Sequence, residues 1–322
     1  MRASSPAFPY PKRVAFLSAL LIVSAVAYMT VHARGNWSFV LPFRATKLIA
    51  LVVVGVAVST STVVFQTVTR NRLLTPSIIG FDALFVLLMT AAVHVLDGRA
   101  VMLLPAWVPF VVSLVFLVAA ALALFGALLS HPRPDLMRLV LTGIIFATLF
   151  RSLTAFLQRI LDPNEFAVIQ VASYARFTQV DTSLLGLSCA LILGAHVVLW
   201  RLRHRLDVLG LGHVPAVNLG LNAKHTQFVA LGCVAVLVSV STALVGPIAF
   251  LGLLVASIAY QLTPSIHHGI LIPSAGLISA TTLVAGQTVM ERALRLETPL
   301  TTVVDMLGGA LFLVLLLKGA RR

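Results

Sequence analysis

Charge is what this chain has least of. Only 10% of its 322 residues are Asp, Glu, Lys or Arg, and only ten are acidic. A soluble domain carries roughly 25% charged residues, so a cytosolic enzyme and a disordered chain are both excluded. Cysteine is nearly absent too. Cys189 and Cys233 sit inside apolar stretches, which leaves no disulfide framework and no metal-ligand spacing. No Gly-Lys-Ser or Gly-Lys-Thr occurs, no His-Glu-x-x-His and no Gly-x-Ser-x-Gly. The chain is therefore not its own ATPase by the phosphate-loop route, and no nucleophile–base constellation marks it as an enzyme. Alternating apolar and polar residues, the mark of a transmembrane barrel strand, are missing as well.

Long charge-free runs take the place of these features. Each membrane crossing needs about 20 apolar residues, and the runs can be placed one by one. They are Val14–Val31, Leu48–Thr69, Ile78–Leu96, a fourth from Ala106, Leu139–Gln158 and Thr182–Trp200. From His225 to Met290, 66 positions hold no Asp, Glu, Lys or Arg. That length suits three helices, divided at Val245-Gly246-Pro247 and Leu262-Thr263-Pro264. A last crossing spans Thr302–Leu317. The expectation is an all-α polytopic membrane protein of about ten helices, with residues 1–322 forming a single transmembrane domain. Ala25-Val26-Ala27 resembles a signal-cleavage site, but the length of its run and the crossings that follow favour a retained helix.

The net charge of +13 is scattered between apolar runs rather than gathered on one face, which argues against a nucleic-acid partner. With ten crossings, 14 Lys and Arg fall on the side of the termini and eight on the other. That bias places both termini in the cytoplasm. Arg151 is left inside the fifth crossing, where a charge is costly and marks function by default. Two placements are open for it, snorkelling to the interface or facing an aqueous path that attracts an anion. Asp82, Asp181 and Asp305 lie near helix ends and read as caps. The adjacent His267 and His268 would point about 100° apart on a helix, a poor geometry for chelating a metal. One cytoplasmic connection, Arg201–Lys224, is longer than the others on its side. It is basic at first, then apolar but too short to cross. It suits either a partner's groove or a connector lying on the membrane surface.

Four segments, in order, resemble the FecCD-type permeases of ATP-driven iron-chelate and cobalamin importers. Arg70-Asn71-Arg72-Leu73-Leu74-Thr75-Pro76-Ser77-Ile78-Ile79-Gly80 is similar to that family's Arg-Asn-Pro-Leu-x-x-Pro-x-x-Leu-Gly. Gly246-Pro247-Ile248-Ala249-Phe250-Leu251-Gly252-Leu253 is similar to Gly-Pro-Ile-x-Phe-Val-Gly-Leu. Leu271-Ile272-Pro273-Ser274-Ala275 and Glu297-Thr298-Pro299-Leu300 complete the set. Departures accompany them: Ala256-Ser257 replaces Pro-His, Tyr260 stands where Arg is usual, and Gln287 replaces a common Asp. Ile79-Gly80-Phe81-Asp82-Ala83 with Asp162-Pro163-Asn164-Glu165-Phe166 is similar to the branch that serves catecholate siderophores.

The resemblance implies a type II ABC importer permease in a bacterial cytoplasmic (inner) membrane. Such a subunit moves ferric siderophore inward by alternating access; import of haem or cobalamin by the same architecture, or a secondary transporter with no ATPase, are the alternatives. It implies no cofactor bound by this chain, with ATP and magnesium held by a partner ATPase. The other implied partners are a second permease subunit and an extracytoplasmic substrate-binding protein. The coupling segment corresponds to Leu209, Gly210, Leu211, Gly212, His213, Val214, Pro215, Ala216, Val217, Asn218, Leu219 and Gly220. Arg44, Lys47, Arg292 and Arg295 correspond to binding-protein docking positions, and Arg151 to a pathway-lining helix.

Overall fold

The computed structural model describes residues 10–31, 37–129, 136–177, 180–263, 265–293 and 299–319, and helix dominates all of them. Ten helices have twelve residues or more: α1 (Tyr10–Thr30), α2 (Trp37–Thr69), α3 (Phe81–Leu96), α5 (Trp107–Leu129), α6 (Leu136–Gln158), α8 (Thr182–Gly210), α10 (Ala223–Val245), α11 (Leu251–Leu262), α12 (His268–Thr288) and α13 (Leu300–Gly319). They fall on the ten expected crossings. Three short helices lie between them: α4 (Gly98–Leu103), α7 (Pro163–Ala172) and α9 (His213–Asn218). Seven of the helices are long and apolar enough to cross a membrane unaided. Among the other three, α11 is the shortest, and its twelve residues span only about 18 Å. The 66-residue run thus yields three helices as expected, but the middle one is too short to cross.

Contacts between distant segments sort the helix ends into two sets. At one end Arg13 donates to the carbonyl of Leu262, and Thr67 meets His268. At the other, Arg44 reaches the carbonyls closing α1, Lys47 pairs with Glu291, and Glu165 accepts from the Gly98 amide. The basic end, carrying Arg13, Arg70 and the Arg201–Arg205 run, is the one the charge bias assigns to the cytoplasm.

At the centre stands α2, packed against α1, α8, α10, α11 and α12. It carries the run Ser59-Thr60-Ser61-Thr62, fully or nearly buried. Hydroxyls are tolerated there because they return hydrogen bonds to the preceding turn: Ser59 to Val56, Ser61 and Thr62 to Val58. Small residues bring backbones close, as membrane helices require where burial supplies no net drive. A Cβ on Gly55 would lie 3.2 Å from the backbone of Ser279 and Ala280, and one on Gly252 only 2.1 Å from the Thr62 hydroxyl. Gly252→Val is therefore expected to push α11 off α2 and cost about 1–3 kcal/mol. A drop of several degrees in the thermal midpoint of the detergent-purified protein would show it; an unchanged midpoint would mean that α11 moves aside freely.

Two helix breaks lie inside the bundle. After α2 the chain turns at Arg70 (φ 53°) and runs back along the same helix, through a single 3₁₀ turn at Pro76–Ile79. Thr75, Pro76 and Ser77 face Ser61 and Thr62, which lie about 12 Å up from the end of α2. The second break is Gly246–Phe250, where Gly246 (φ 102°) passes within 3.1 Å of the Ala175 backbone, measured from the position of a Cβ. Only glycine suits that combination. Both breaks border the same small cavity, whose lining includes the hydroxyl residues Ser61, Thr62, Thr75 and Ser241. Irregular backbone at membrane depth survives only where protein covers it, and these two stretches are the ones that resembled the family most closely. Asp305 on α13 accepts from the Phe250 amide at 3.0 Å and so caps α11. Asp181 caps α8, and hydrogen bonds from Ser183 hold its carboxyl below the usual carboxylate range.

Candidate coupling segment and translocation face

Helix α8 does not stop where the apolar run stops. Leu199, Leu202, Leu206 and Leu209 recur on one buried face, so the Arg201–Arg205 stretch stays helical to Gly210. The connection Arg201–Lys224 is accordingly half helix and half loop. Gly212 (φ 119°) then turns the chain into α9, with the Arg70 guanidinium 3.3 Å from the place its Cβ would occupy. The far end closes as a Schellman motif: Leu221 donates to Ala216, and Gly220 (φ 79°) to Val217. Ala216 is buried, but Val214 is 68% exposed and Val217 49%, with Leu211 and Leu219 exposed beside them. The exposed side chains make a preorganised apolar knob on the basic end.

At the opposite end two of the four docking positions, Arg44 and Lys47, are buried. Arg44 is 4% exposed and donates to the carbonyls of Tyr28, Met29 and Val31 at 2.8–3.1 Å, which closes the end of α1. Lys47 is 6% exposed and paired with Glu291, whose carboxylate also accepts from Gln287 at 2.6 Å. Both cations are turned inward in this structure. A lone buried charge would be costly, and both side chains turn inward to partners that satisfy them. Arg295 and the side chain of Arg292 lie outside the described residues, as do Glu297 and Thr298 of the fourth motif.

Arg151 is exposed on α6 and lies within electrostatic range of Asp82, at the start of α3. Helix α6 packs on α3 and on the 3₁₀ turn through a notch at Gly143 and Ala147. Its other faces, with Leu141, Ile145, Leu149, Leu153 and Phe156, are uncovered by this chain. An apolar cavity of about 520 Å³ opens between α3, α5 and α6, walled by Phe81, Leu117, Phe146 and Phe150 among others. Arg151 follows Phe150 directly in sequence. His267 and His268 both contact Asp207, a partnership the sequence reading missed. Among the described residues no group of three His, Cys, Asp or Glu is placed to hold a metal.

Membrane-length helices, two protein-covered helix breaks and a projecting apolar knob together define a polytopic transport permease. A family model described as the FecCD transport family matches residues 14–318. The chain belongs to that family, and it is a multi-pass membrane protein. It is 39% identical over 306 residues to a petrobactin import system permease of Bacillus subtilis, covering 95% of this chain and 97% of that one. The Fe(3+) dicitrate transport system permease FecD of Escherichia coli is 28% identical, over 88% of this chain and 86% of the relative. Among solved structures, an inward-facing metal-chelate-type ABC transporter superposes with a TM-score of 0.83 at 24% identity. It covers 96% of this chain and 100% of that one, which supports the fold.

Proposed function

We propose that this chain is the permease subunit of an ATP-driven importer that carries a ferric siderophore into the cytoplasm. The observation that carries the reading is the exposed apolar knob Leu211–Leu219 on the basic end, in a chain 39% identical to a petrobactin import permease. ATP hydrolysis belongs to a separate partner, for which Val214 and Val217 are the insertion residues. Motion of that partner would rock the bundle between outward and inward openings.

Helix α6 supplies the pathway wall in this reading, facing a second permease subunit across its uncovered side. A ferric chelate with catecholate or citrate donors is anionic, and Arg151 on that face offers it a cation in a low-dielectric setting. On the outer side, docking of a substrate-binding protein falls to Arg292 and Arg295, while Arg44 and Lys47 hold partners within the bundle. A cobalamin permease of Escherichia coli is also a relative, at 28% identity, so cargo is the point to test. In iron-starved host cells lacking the gene, restoring it should restore uptake of radioiron as a ferric catecholate complex, with cobalamin uptake unchanged. Restored cobalamin uptake without iron uptake would overturn the assignment of cargo.

A further inference from the structure

Helix α12 begins without a cap of its own, because His267 at its N-cap position makes no side-chain capping bond. The cap comes from another helix. Asp207, three residues before the end of α8, accepts from the His268 amide and from His268 Nδ1, both at 2.7 Å on one carboxylate oxygen. Its second oxygen faces His267 Nδ1 at 3.3 Å. His268 is only 3% exposed, and its other ring nitrogen lies 2.7 Å from the Thr67 hydroxyl on α2. That hydroxyl also reaches the Val63 carbonyl at 2.9 Å. One imidazole therefore ties α2, α8 and α12 together, through a charge-assisted bond to Asp207 and a bond to the Thr67 hydroxyl.

The position of this tie matters more than its strength. Thr67 is three residues from Arg70, whose guanidinium packs against Gly212 at the root of α9. Asp207 is three residues from Gly210. The contacts close a ring: from Gly212 to Arg70, down α2 to Thr67, across His268 to Asp207, and along α8 back to Gly210. The knob emerges from this ring. A push on α9 can move the base of α8 alone only by breaking the Asp207–His268 bonds. Otherwise α2 and α12, which form the packed centre of the bundle, must follow.

We propose that Asp207 and His268 are positioning residues for the transport step, a catch that transmits displacement of the coupling segment to α12 and α2. This rests on the importer reading above. The test uses the whole complex, permease with its ATPase and second permease, in proteoliposomes loaded with ATP and supplied outside with the substrate-binding protein and ferric chelate. The quantity measured is ferric chelate imported per ATP hydrolysed. Asp207→Ala and His268→Ala should lower that ratio roughly tenfold, since breaking a coupling network changes coupling rather than occupancy. The ATPase should still co-purify and still hydrolyse ATP. Thr67→Val, which removes only the outer hydroxyl, should lower the ratio to a smaller extent, and Thr67→Ser should restore it. If import and hydrolysis fall together, so that the ratio holds, the residues merely stabilise the fold and the proposal is overturned. Should both alanine variants fail to fold, the Thr67 pair decides: equal ratios for Thr67→Val and wild type overturn the proposal. Absence of ATP-driven import by the wild type would instead sink the importer reading, and the catch with it.

Discussion

Val214→Asp combined with Val217→Asp is expected to abolish uptake, by more than about 100-fold, while the permease still folds and reaches the membrane. Both side chains are largely exposed, so two carboxylates there disturb no packing within the chain. The buried supports of the segment, Leu206, Leu209 and Ala216, are left in place. What changes is the surface offered to a partner, where two apolar knobs become charges that must be desolvated on docking. Membrane levels of the permease should match wild type on a blot, and the ATPase should no longer co-purify. Loss of the permease itself would mean that these residues serve the fold. Retained ATPase with retained uptake would mean that the partner grips elsewhere.

Lys47→Ala should have the largest effect on stability, about 3 kcal/mol, because it removes the cation paired with a mostly buried carboxylate. Glu291 would keep its bond from Gln287 but lose the Lys47 ammonium. The double replacement Lys47→Met with Glu291→Leu removes both charges and should recover most of the loss. Thermal unfolding in mild detergent reads both variants. A docking role for Lys47 predicts the reverse, a wild-type melting curve for Lys47→Ala with weaker capture of the binding protein.

The distribution of charge made most of the fold legible. A long interval poor in Lys and Arg marks a crossing because lipid excludes those side chains, and all ten expected crossings became helices. Charge marked where the membrane ends rather than where a helix ends. The Leu199, Leu202, Leu206, Leu209 spacing, available in the sequence, would have carried α8 through its basic stretch to Gly210. The Asp162-Pro163 start of α7 was equally available, since Pro at the first position is a helix opening.

Non-local pairings were not legible. Asp207 and His268 stand 61 residues apart, and Lys47 and Glu291 are 244 apart. No local pattern announces that a cation near a helix end turns inward. The departures from the family pattern make sense only in pairs. Arg72 stands where the family has Pro and Tyr260 where it has Arg; in the structure Arg72 stacks over the Tyr260 ring at 4.5 Å. The two departures thus meet in one cation–π contact. Gln287 stands where an Asp is common, and it donates to Glu291 one turn later, the carboxylate that Lys47 meets.

The central claim is that this chain passes an iron chelate only when an ATPase bound to its knob turns over. The direct measurement is purification of the tagged permease from its host in mild detergent, followed by reconstitution and a radioiron import assay with and without ATP. The account predicts a co-purifying ATPase and import of ferric chelate that stops when ATP is omitted. A permease that emerges alone and carries the chelate without ATP would contradict it.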